Sequence, residues 1–255
     1  MMAGSEGEGR RLAVVTGTSS GIGRALAAQL LDRGWSVLGI ARRPAEFDHA
    51  GYQHLRWDLA DITALPALED TMLPRLTEAS VRRVALVNNA ASVAALGAMT
   101  QVEPAGLLEV YAINTVAPLW LMRIVVTRTP VDIPLRIVNV STGAATNGYP
   151  GLGAYGSSKA ALRLAGMALG AELDSPQRLT SAPADTSILS YEPGIVDTPM
   201  QEQARAQPRD AFPWGMFRDF HARGMLVSAN RPAAEIVHYV ETNGHATFSE
   251  KRLGS

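Results

Sequence analysis

The chain has 255 residues, of which 47% are hydrophobic and 18% charged, and its formal net charge is −1. This length and composition support a single domain with a sizeable core. The near-neutral charge gives no electrostatic reason to expect a nucleic acid or a membrane as partner, so we expect a small-molecule ligand. The lack of cysteine excludes disulfides, thiolate metal sites and cysteine nucleophiles, and we expect a cytoplasmic protein without a metal.

The first eleven residues are rich in Gly and Glu and contain no apolar stretch of the kind found in signal peptides. We expect residues 1–11 to be a disordered leader and residues 12–255 to form one dinucleotide-binding domain. The most apolar stretch, 116–126, is interrupted by Pro118 and Arg123 and is shorter than the ~20 residues that span a bilayer.

Short apolar runs alternate with longer segments whose apolar residues recur at helical spacing. Such alternation predicts an α/β protein with a Rossmann-type doubly wound parallel sheet flanked by helices, and it places the ligand at the carboxyl ends of the strands. The predicted strands are 12–15, 36–40, 53–56, 84–87, 135–140 and 186–191, and the predicted helices are 21–33, 65–79, 104–127 and 154–173.

A glycine-rich segment, Thr16-Gly17-Thr18-Ser19-Ser20-Gly21-Ile22-Gly23, follows the first predicted strand directly. Glycines permit a tight turn there, and the N-terminus of the next helix offers free N–H groups to a pyrophosphate. We therefore predict a dinucleotide site that includes Gly17, Ser19, Ser20, Gly21, Ile22 and Gly23.

The same segment also matches the Gly-x-Ser-x-Gly nucleophile elbow of serine hydrolases, with Ser19 as nucleophile and His221, His238 or His245 as the base. An elbow normally lies several strands into the sheet, and this alternative leaves Tyr155 and Lys159 without a function.

The second predicted strand ends in Ala41-Arg42-Arg43, where a fold that prefers NAD presents an acidic residue to the ribose hydroxyl. A guanidinium suits a 2′-phosphate, so Arg42 favours NADPH, although a solvated loop charge is the alternative.

Tyr155 and Lys159 are four residues apart on a predicted helix, and Lys159 is one of only two lysines in the chain. Residues at this spacing share one face of a helix, so the ammonium would lie beside the phenol. A tyrosine titrates near pH ~10 unless a fixed positive charge stabilises its phenolate. The pair therefore predicts proton transfer chemistry.

Together these motifs resemble the short-chain dehydrogenase/reductase family from about Arg11 to the end of the chain. Further marks follow in order: Asp58-Leu59, Asn88-Asn89-Ala90-Ala91, Asn114, Ser141, and Pro193-Gly194-Ile195-Val196-Asp197-Thr198. The resemblance implies a catalytic set of Asn114, Ser141, Tyr155 and Lys159. It also implies cofactor contacts from Asp58, Leu59, Asn88, Ala90, Tyr155, Lys159, Pro193, Gly194, Val196 and Thr198.

By this resemblance, Tyr155 gives a proton to a substrate carbonyl as NADPH delivers hydride, Ser141 hydrogen-bonds the same oxygen, and Asn114 holds a relay water. An aromatic-rich segment at about 199–224 resembles a lid for a hydrophobic ketone or diketone, with Tyr149, Trp214 and Phe217 as candidate substrate contacts. Packing of this segment on the core or on another subunit is the alternative.

The segments 193–201, 222–226 and 244–248 resemble the branch of sepiapterin reductases and bacterial benzil reductases. Animal sepiapterin reductases have an Asp in the C-terminal segment where this chain aligns Thr247, which favours a benzil reductase-like carbonyl reductase. A sepiapterin reductase, an alcohol dehydrogenase and a non-catalytic NADPH-binding sensor stay open. The resemblance also implies a homodimer or homotetramer built on the helices at 104–127 and 154–173.

Overall fold

The computed structural model describes residues 9–177, 180–206 and 215–255. Its centre is a sheet of seven parallel strands in the order β3-β2-β1-β4-β5-β6-β7. This order reverses between β1 and β4, as in doubly wound dinucleotide-binding folds, and it confirms the predicted fold class. The strands are β1 Arg10–Thr16, β2 Ser36–Ala41, β3 Tyr52–Arg56, β4 Val81–Asn88, β5 Leu135–Val140, β6 Thr186–Glu192 and β7 Phe248–Arg252.

Helices cover both faces of the sheet. On one face, α1 and α8 pack on the apolar residues of β1, β5 and β6, and on the other face α2, α4 and α5 do so. The helices are α1 Gly21–Asp32, α2 Leu65–Leu76, α3 Pro104–Tyr111, α4 Ala117–Arg128, α5 Gly153–Asp174, α6 Pro199–Ala206, α7 Gly215–Ala222 and α8 Asn230–Glu241. Burial on both sides explains why the central strands read as continuous apolar runs in the sequence.

The first strand begins at Arg10, so Arg10 and Arg11 belong to the sheet rather than to the predicted leader. Arg10 donates a 2.8 Å hydrogen bond to the hydroxyl of Ser36 and pairs with Glu78. Arg11 lies over the ring of Trp35, with 5.3 Å from its guanidinium carbon to the ring centroid. The apolar run in the sequence predicts a shorter strand than the structure shows, because the strand begins with two charged residues. Neighbouring side chains supply partners for both arginines, so the strand can include them.

The helix predicted at 104–127 is two α-helices joined by a π-helical turn at Ala112–Val116. The N–H of Ala117 reaches the carbonyl of Ala112, five residues back, and Pro118 has no N–H to give. By length and composition the stretch Pro104–Arg128 qualifies as a membrane span, but 56% of its most apolar window is buried inside the molecule. The buried apolar side chains of α4 pack on the sheet as those of a core helix do.

Candidate active site

The glycine-rich turn connects β1 to α1 and requires glycine at two of its positions. Gly17 has a φ of 76°, a conformation that L side chains rarely adopt. A Cβ on Gly23 would lie too close to the carbonyl of Gly17 and the side-chain amide of Asn89. The glycines therefore leave room for a pyrophosphate to approach the backbone of the turn and the N-terminus of α1.

Two residues that the sequence did not single out, Thr16 and Asn89, hold this turn against the end of β4. The hydroxyl of Thr16 accepts hydrogen bonds from the backbone N–H groups of Asn89 at 3.0 Å and Ala90 at 2.9 Å. The side-chain amide of Asn89 donates to the carbonyl of Thr16 at 2.9 Å. The second Asn of Asn88-Asn89 is thus the one that shapes the dinucleotide turn.

Asn88, the predicted cofactor contact, has a buried side chain inside the sheet. Its amide nitrogen donates to the side-chain oxygen of Asn139 at 2.8 Å, which links β4 to β5. The side chain of Asn88 therefore joins two strands, and only its backbone and that of Ala90 lie at the carboxyl edge where a cofactor would bind.

The two arginines after β2 point to different partners. The guanidinium of Arg42 lies 3.9 Å from a carboxylate oxygen of Asp58, and both side chains are exposed. Arg43 donates a 3.2 Å hydrogen bond to the hydroxyl of Ser20 in the glycine-rich turn. A second positive charge, that of Arg43, thus lies next to the predicted dinucleotide site. Leu59 is buried directly after Asp58.

Further along the carboxyl edge, Lys159 and Tyr155 lie on one face of α5. The ammonium of Lys159 is 2% exposed and donates to the carbonyl of Val140 at 2.7 Å. Burial lowers the pKa of Lys159 to about 8. Burial also raises the pKa of Tyr155 to about 12, which a hydrogen bond with the side chain of Thr142 partly opposes. At neutral pH the two residues are therefore a neutral phenol and an ammonium on one face of α5, the protonation state that a proton donor requires.

Asn114 lies in the π-helical turn and its side-chain amide is fully buried. It accepts from the backbone N–H of Ser92 at 2.8 Å and donates to the carbonyl of Ser92 and to the hydroxyl of Ser158, both at 3.0 Å. Ser158 in turn donates to the carbonyl of Tyr155 at 2.7 Å. Ser92 and Ser158, which sequence reasoning missed, thus connect Asn114 to the catalytic helix.

Ser141 follows β5 directly, and its N–H donates to the carbonyl of Tyr191 at 2.7 Å. The side chain of Thr142 caps the short helical turn Gly143–Ala145 that comes next. Ser141 and Thr142 both line a cavity of about 200 Å³. The four predicted catalytic residues are thus brought to the carboxyl edge around β5 and α5, although they are up to 45 positions apart in the sequence.

The family profile described as short chain dehydrogenase matches residues 11–209 of this chain. The chain belongs to that family. It is therefore an oxidoreductase of a family that uses NAD(P)(H). In the part of the chain that the structure describes, no group of three His, Cys, Asp or Glu residues is placed to hold a metal ion.

The similarity of this short-chain dehydrogenase to individual relatives is consistent with the family profile. It is 29% identical to a benzil reductase ((S)-benzoin forming) of Bacillus cereus, over 91% of this chain and 94% of the relative. It is 28% identical to a sepiapterin reductase of Xenopus laevis, with 93% of each chain covered. A crystal structure of a short-chain dehydrogenase/reductase from Burkholderia vietnamiensis superposes with a TM-score of 0.65 at 32% identity, over 77% of this chain and 88% of that chain.

In this dehydrogenase, the segment after β6 lies over the glycine-rich turn. Gly194 has a φ of 73°, and Val196 forms a parallel bridge with Val227. A Cβ on Gly21 would lie 3.1 Å from the methyl group of Thr198, so Thr198 contacts the start of α1. The predicted residues Pro193 to Thr198 therefore stand where they can cover a dinucleotide bound at the turn.

The described part of the predicted lid packs in the same apolar cluster as Tyr155. Phe217 and Met216 of α7 form a small apolar cluster with Leu152 and Tyr155. Tyr149 is 40% exposed in the segment that leads into α5. Trp214 lies outside the described residues.

Two other sequence interpretations concern residues at the amino edge of the sheet. His245 precedes β7 at the amino edge and hydrogen-bonds the hydroxyl of Thr242 at 2.9 Å. Ser19 follows β1 at the carboxyl edge. His245 is therefore not placed to activate Ser19. Thr247 also precedes β7 and donates to Asp174 at the end of α5. It therefore lies at the edge of the sheet opposite Ser141, and it is not placed to anchor a substrate.

Proposed function

We propose that this dehydrogenase is an NADPH-dependent carbonyl reductase for small hydrophobic ketones or diketones, similar to benzil reductases. The observation that carries the proposal is the arrangement around Tyr155. Tyr155, whose phenol is neutral, lies one helical turn before Lys159 on α5, and its side chain belongs to a small apolar cluster with Phe217 and Leu152. Such a site gives a proton to a carbonyl oxygen and contacts an apolar substituent.

When bound, the dinucleotide supplies the hydride that forms the new C–H bond and is itself oxidised by two electrons. The hydroxyl of Tyr155 gives its proton to the carbonyl oxygen as the C=O double bond becomes single, and the ammonium of Lys159 stabilises the phenolate left behind. Ser141 donates a hydrogen bond to the same oxygen, a contact typically worth about 3 kcal/mol to an oxyanion. The product is the corresponding alcohol.

We also propose that a relay water is held by the backbone carbonyl of Asn114 rather than by its side chain. The side-chain amide already bonds Ser92 and Ser158. In a regular α-helix the carbonyl of Asn114 would accept from residue 118, but Pro118 has no N–H. The π-helical turn therefore leaves this carbonyl without its usual α-helical donor, beside the helix that carries Lys159.

The preference for NADPH is supported by the end of β2. Ala41 stands where an acidic residue would repel a phosphate, and Arg42 and Arg43 are both exposed there. Since Arg43 reaches Ser20 in the glycine-rich turn, the two guanidinium groups flank the position that a ribose 2′-phosphate would take.

We further propose a cytoplasmic homodimer or homotetramer that acts on a free small molecule. The lack of cysteine supports a reducing compartment. Large apolar side chains are exposed on α3, α4 and α5, with Leu108 at 73% and Leu164 at 64% exposure, and a second copy of the chain would cover them.

The test follows consumption of NADPH and of NADH by the purified protein with benzil, 1-phenyl-1,2-propanedione and sepiapterin. We expect turnover of a diketone with NADPH, and a loss of at least ~100-fold in Tyr155→Phe with the affinity for NADPH unchanged, since the phenol supplies only the proton. Full activity of Tyr155→Phe would refute the mechanism. Binding of NADPH without turnover of any carbonyl or alcohol would favour a sensor, and turnover of sepiapterin alone would favour that reductase.

A further inference from the structure

The cavity beside Ser141 is lined by residues with polar groups, whereas Phe217 belongs to an apolar cluster near Tyr155. It has a volume of about 200 Å³ and opens between the carboxyl ends of β5, β6 and β7 and the segment after Ser141. Its lining is made mainly of hydroxyl-bearing and charged residues: Ser141, Thr142, Thr146, Arg163, Ser190, Glu192, Glu250, Lys251 and Arg252.

Glu192 is the member of this lining that the sheet places next to Ser141. Val140 pairs with Tyr191 in the β5–β6 ladder, and both side chains point to the face covered by α1 and α8. Side chains alternate along a strand, so the following residues, Ser141 and Glu192, point to the opposite face, where α5 lies. Neighbouring strands are about 4.8 Å apart, so the two side chains are adjacent.

A glycine makes room for the carboxylate of Glu192. A Cβ on Gly143 would lie 3.0 Å from the Oε1 atom of Glu192, closer than ordinary contact. The carboxylate therefore lies against the backbone that directly follows Ser141 and Thr142. Any larger residue at position 143 would displace it.

The ion pairs of the cavity leave Glu192 more available than Glu250. Glu250 is held by both the Nε and the Nη2 atoms of Arg163, the latter at 2.8 Å. Within the described residues, the ion pair of Glu192 is with the Nε atom of Arg252, at 3.4 Å, and the side chain of Arg252 is 71% exposed. Lys251 pairs with Glu235 on α8 instead. Glu192, at 27% exposure, is thus a partly buried acceptor with a long, solvent-exposed partner.

We propose that Glu192 determines substrate specificity by accepting a hydrogen bond from an O–H or N–H group on the carbon next to the reacting carbonyl. This inference rests on the proposed function and deepens it. The substrate class is then an aryl carbonyl compound with a donor on the adjacent carbon, whose ring lies against Phe217 and whose donor reaches the polar cavity. A partly buried acceptor that a bound substrate covers disfavours an analogue that lacks the donor, because the acceptor then loses its water without replacement.

The test compares two ketones of nearly equal shape, 2-hydroxyacetophenone and propiophenone, which carry a hydroxyl and a methyl group at the same position. The readout is the change in their ratio of kcat/KM, because intrinsic reactivity cancels when the enzyme alone is varied. In Glu192→Ala we expect this ratio to fall about tenfold, with propiophenone affected less than about twofold. In Glu192→Gln, which keeps an oxygen acceptor without the charge, we expect a fall of about threefold.

Glu250→Gln is the matched control, since Glu250 lines the same cavity but is held by Arg163. Its ratio should equal that of the wild type. Thermal unfolding and the fluorescence of bound NADPH show whether each variant is folded and binds the dinucleotide, and Glu192→Gln remains informative where Glu192→Ala does not fold.

Two negative results are distinguishable. If the ratio of kcat/KM for the two ketones is unchanged in a folded, NADPH-binding Glu192 variant, this inference is overturned and the proposed carbonyl reductase is not affected. The same holds if Glu250→Gln lowers that ratio as much as the Glu192 variants do. If the wild type binds NADPH but reduces neither these ketones nor the diketones, the proposed function fails, and the role of Glu192 fails with it.

Discussion

The ammonium of Lys159 donates a 2.7 Å hydrogen bond to the carbonyl of Val140, the residue before Ser141. This bond ties α5 to the end of β5, so the strand that leads to Ser141 also positions the lysine. The same side chain is 2% exposed, and burial lowers its pKa to about 8. The site therefore keeps a cation in an environment that destabilises it.

A stability cost follows from this burial. In the unfolded chain Lys159 has an ordinary pKa of about 10.5, so between pH 8 and 10.5 the unfolded state binds more protons than the folded state and stability rises with pH. Below pH 8 the full cost is present. We expect Lys159→Met to raise the melting temperature by a few degrees at pH 6.5 relative to the wild type, and this gain to shrink as pH rises above 8.

Lys251→Met is the control for this measurement. Lys251 is partly exposed and pairs with Glu235, so its replacement should produce no such pH-dependent gain. Melting curves between pH 6.5 and 9.5 for the three proteins provide the comparison. A gain for Lys159→Met that is the same at every pH would contradict a lowered pKa.

We expect the lowered pKa of Lys159 to set the pH dependence of turnover as well. In the proposed mechanism the ammonium stabilises the phenolate left on Tyr155, so carbonyl reduction should decline as pH rises through about 8, where Lys159 loses its proton. The measurement is kcat against pH with saturating NADPH and 1-phenyl-1,2-propanedione. A rate that stays constant to pH 9.5 would show that Lys159 remains charged or does not assist the step.

The cofactor preference depends on the arginines after β2. We expect Arg42→Ala to raise the KM for NADPH about tenfold or more while the KM for NADH changes little, because only NADPH carries the 2′-phosphate. Arg43→Ala should act in the same direction, since Arg43 reaches Ser20. Arg82→Ala is the control because Arg82 lies at the start of β4, on the opposite edge of the sheet. Equal effects on both cofactors would reject the NADPH preference.

The oligomer proposal predicts that charge on the exposed face of α5 breaks the assembly. Leu164→Glu should reduce the molar mass measured by size-exclusion chromatography with light scattering, since Leu164 is 64% exposed on that face. Val131→Glu, at a residue that is 50% exposed before β5, is the control and should keep the wild-type mass. A monomeric wild type, or an unchanged mass in Leu164→Glu, would contradict the proposal.

Sequence patterns predicted the central strands and missed the last one. β7 has the sequence Phe-Ser-Glu-Lys-Arg, which carries one apolar residue. It pairs with β6 alone at the edge of the sheet, and Phe248 packs on the core from there. An edge strand that is half exposed needs no apolar run, so its signal in the sequence is weak.

Where two adjacent residues are of the same type, the sequence could not show which of them makes which contact. Of Asn88 and Asn89, the first bonds across to β5 and the second holds the glycine-rich turn. Of Arg42 and Arg43, the second reaches Ser20. In each pair the choice depends on which strand or turn lies next to the side chain.

By itself the sequence determined the glycine-rich turn after β1, the helical pairing of Tyr155 with Lys159 and the order of the strands and helices, because each rests on spacing within a short stretch of chain. Only the tertiary structure decided that Ser92 and Ser158 anchor Asn114, that Lys159 bonds the end of β5, and that Glu192 lies beside Ser141. These contacts join residues from different strands and helices. They exist only because the spatial arrangement of strands in the sheet brings β5, β6 and α5 together at one edge. No local sequence pattern encodes which strands become neighbours in the sheet.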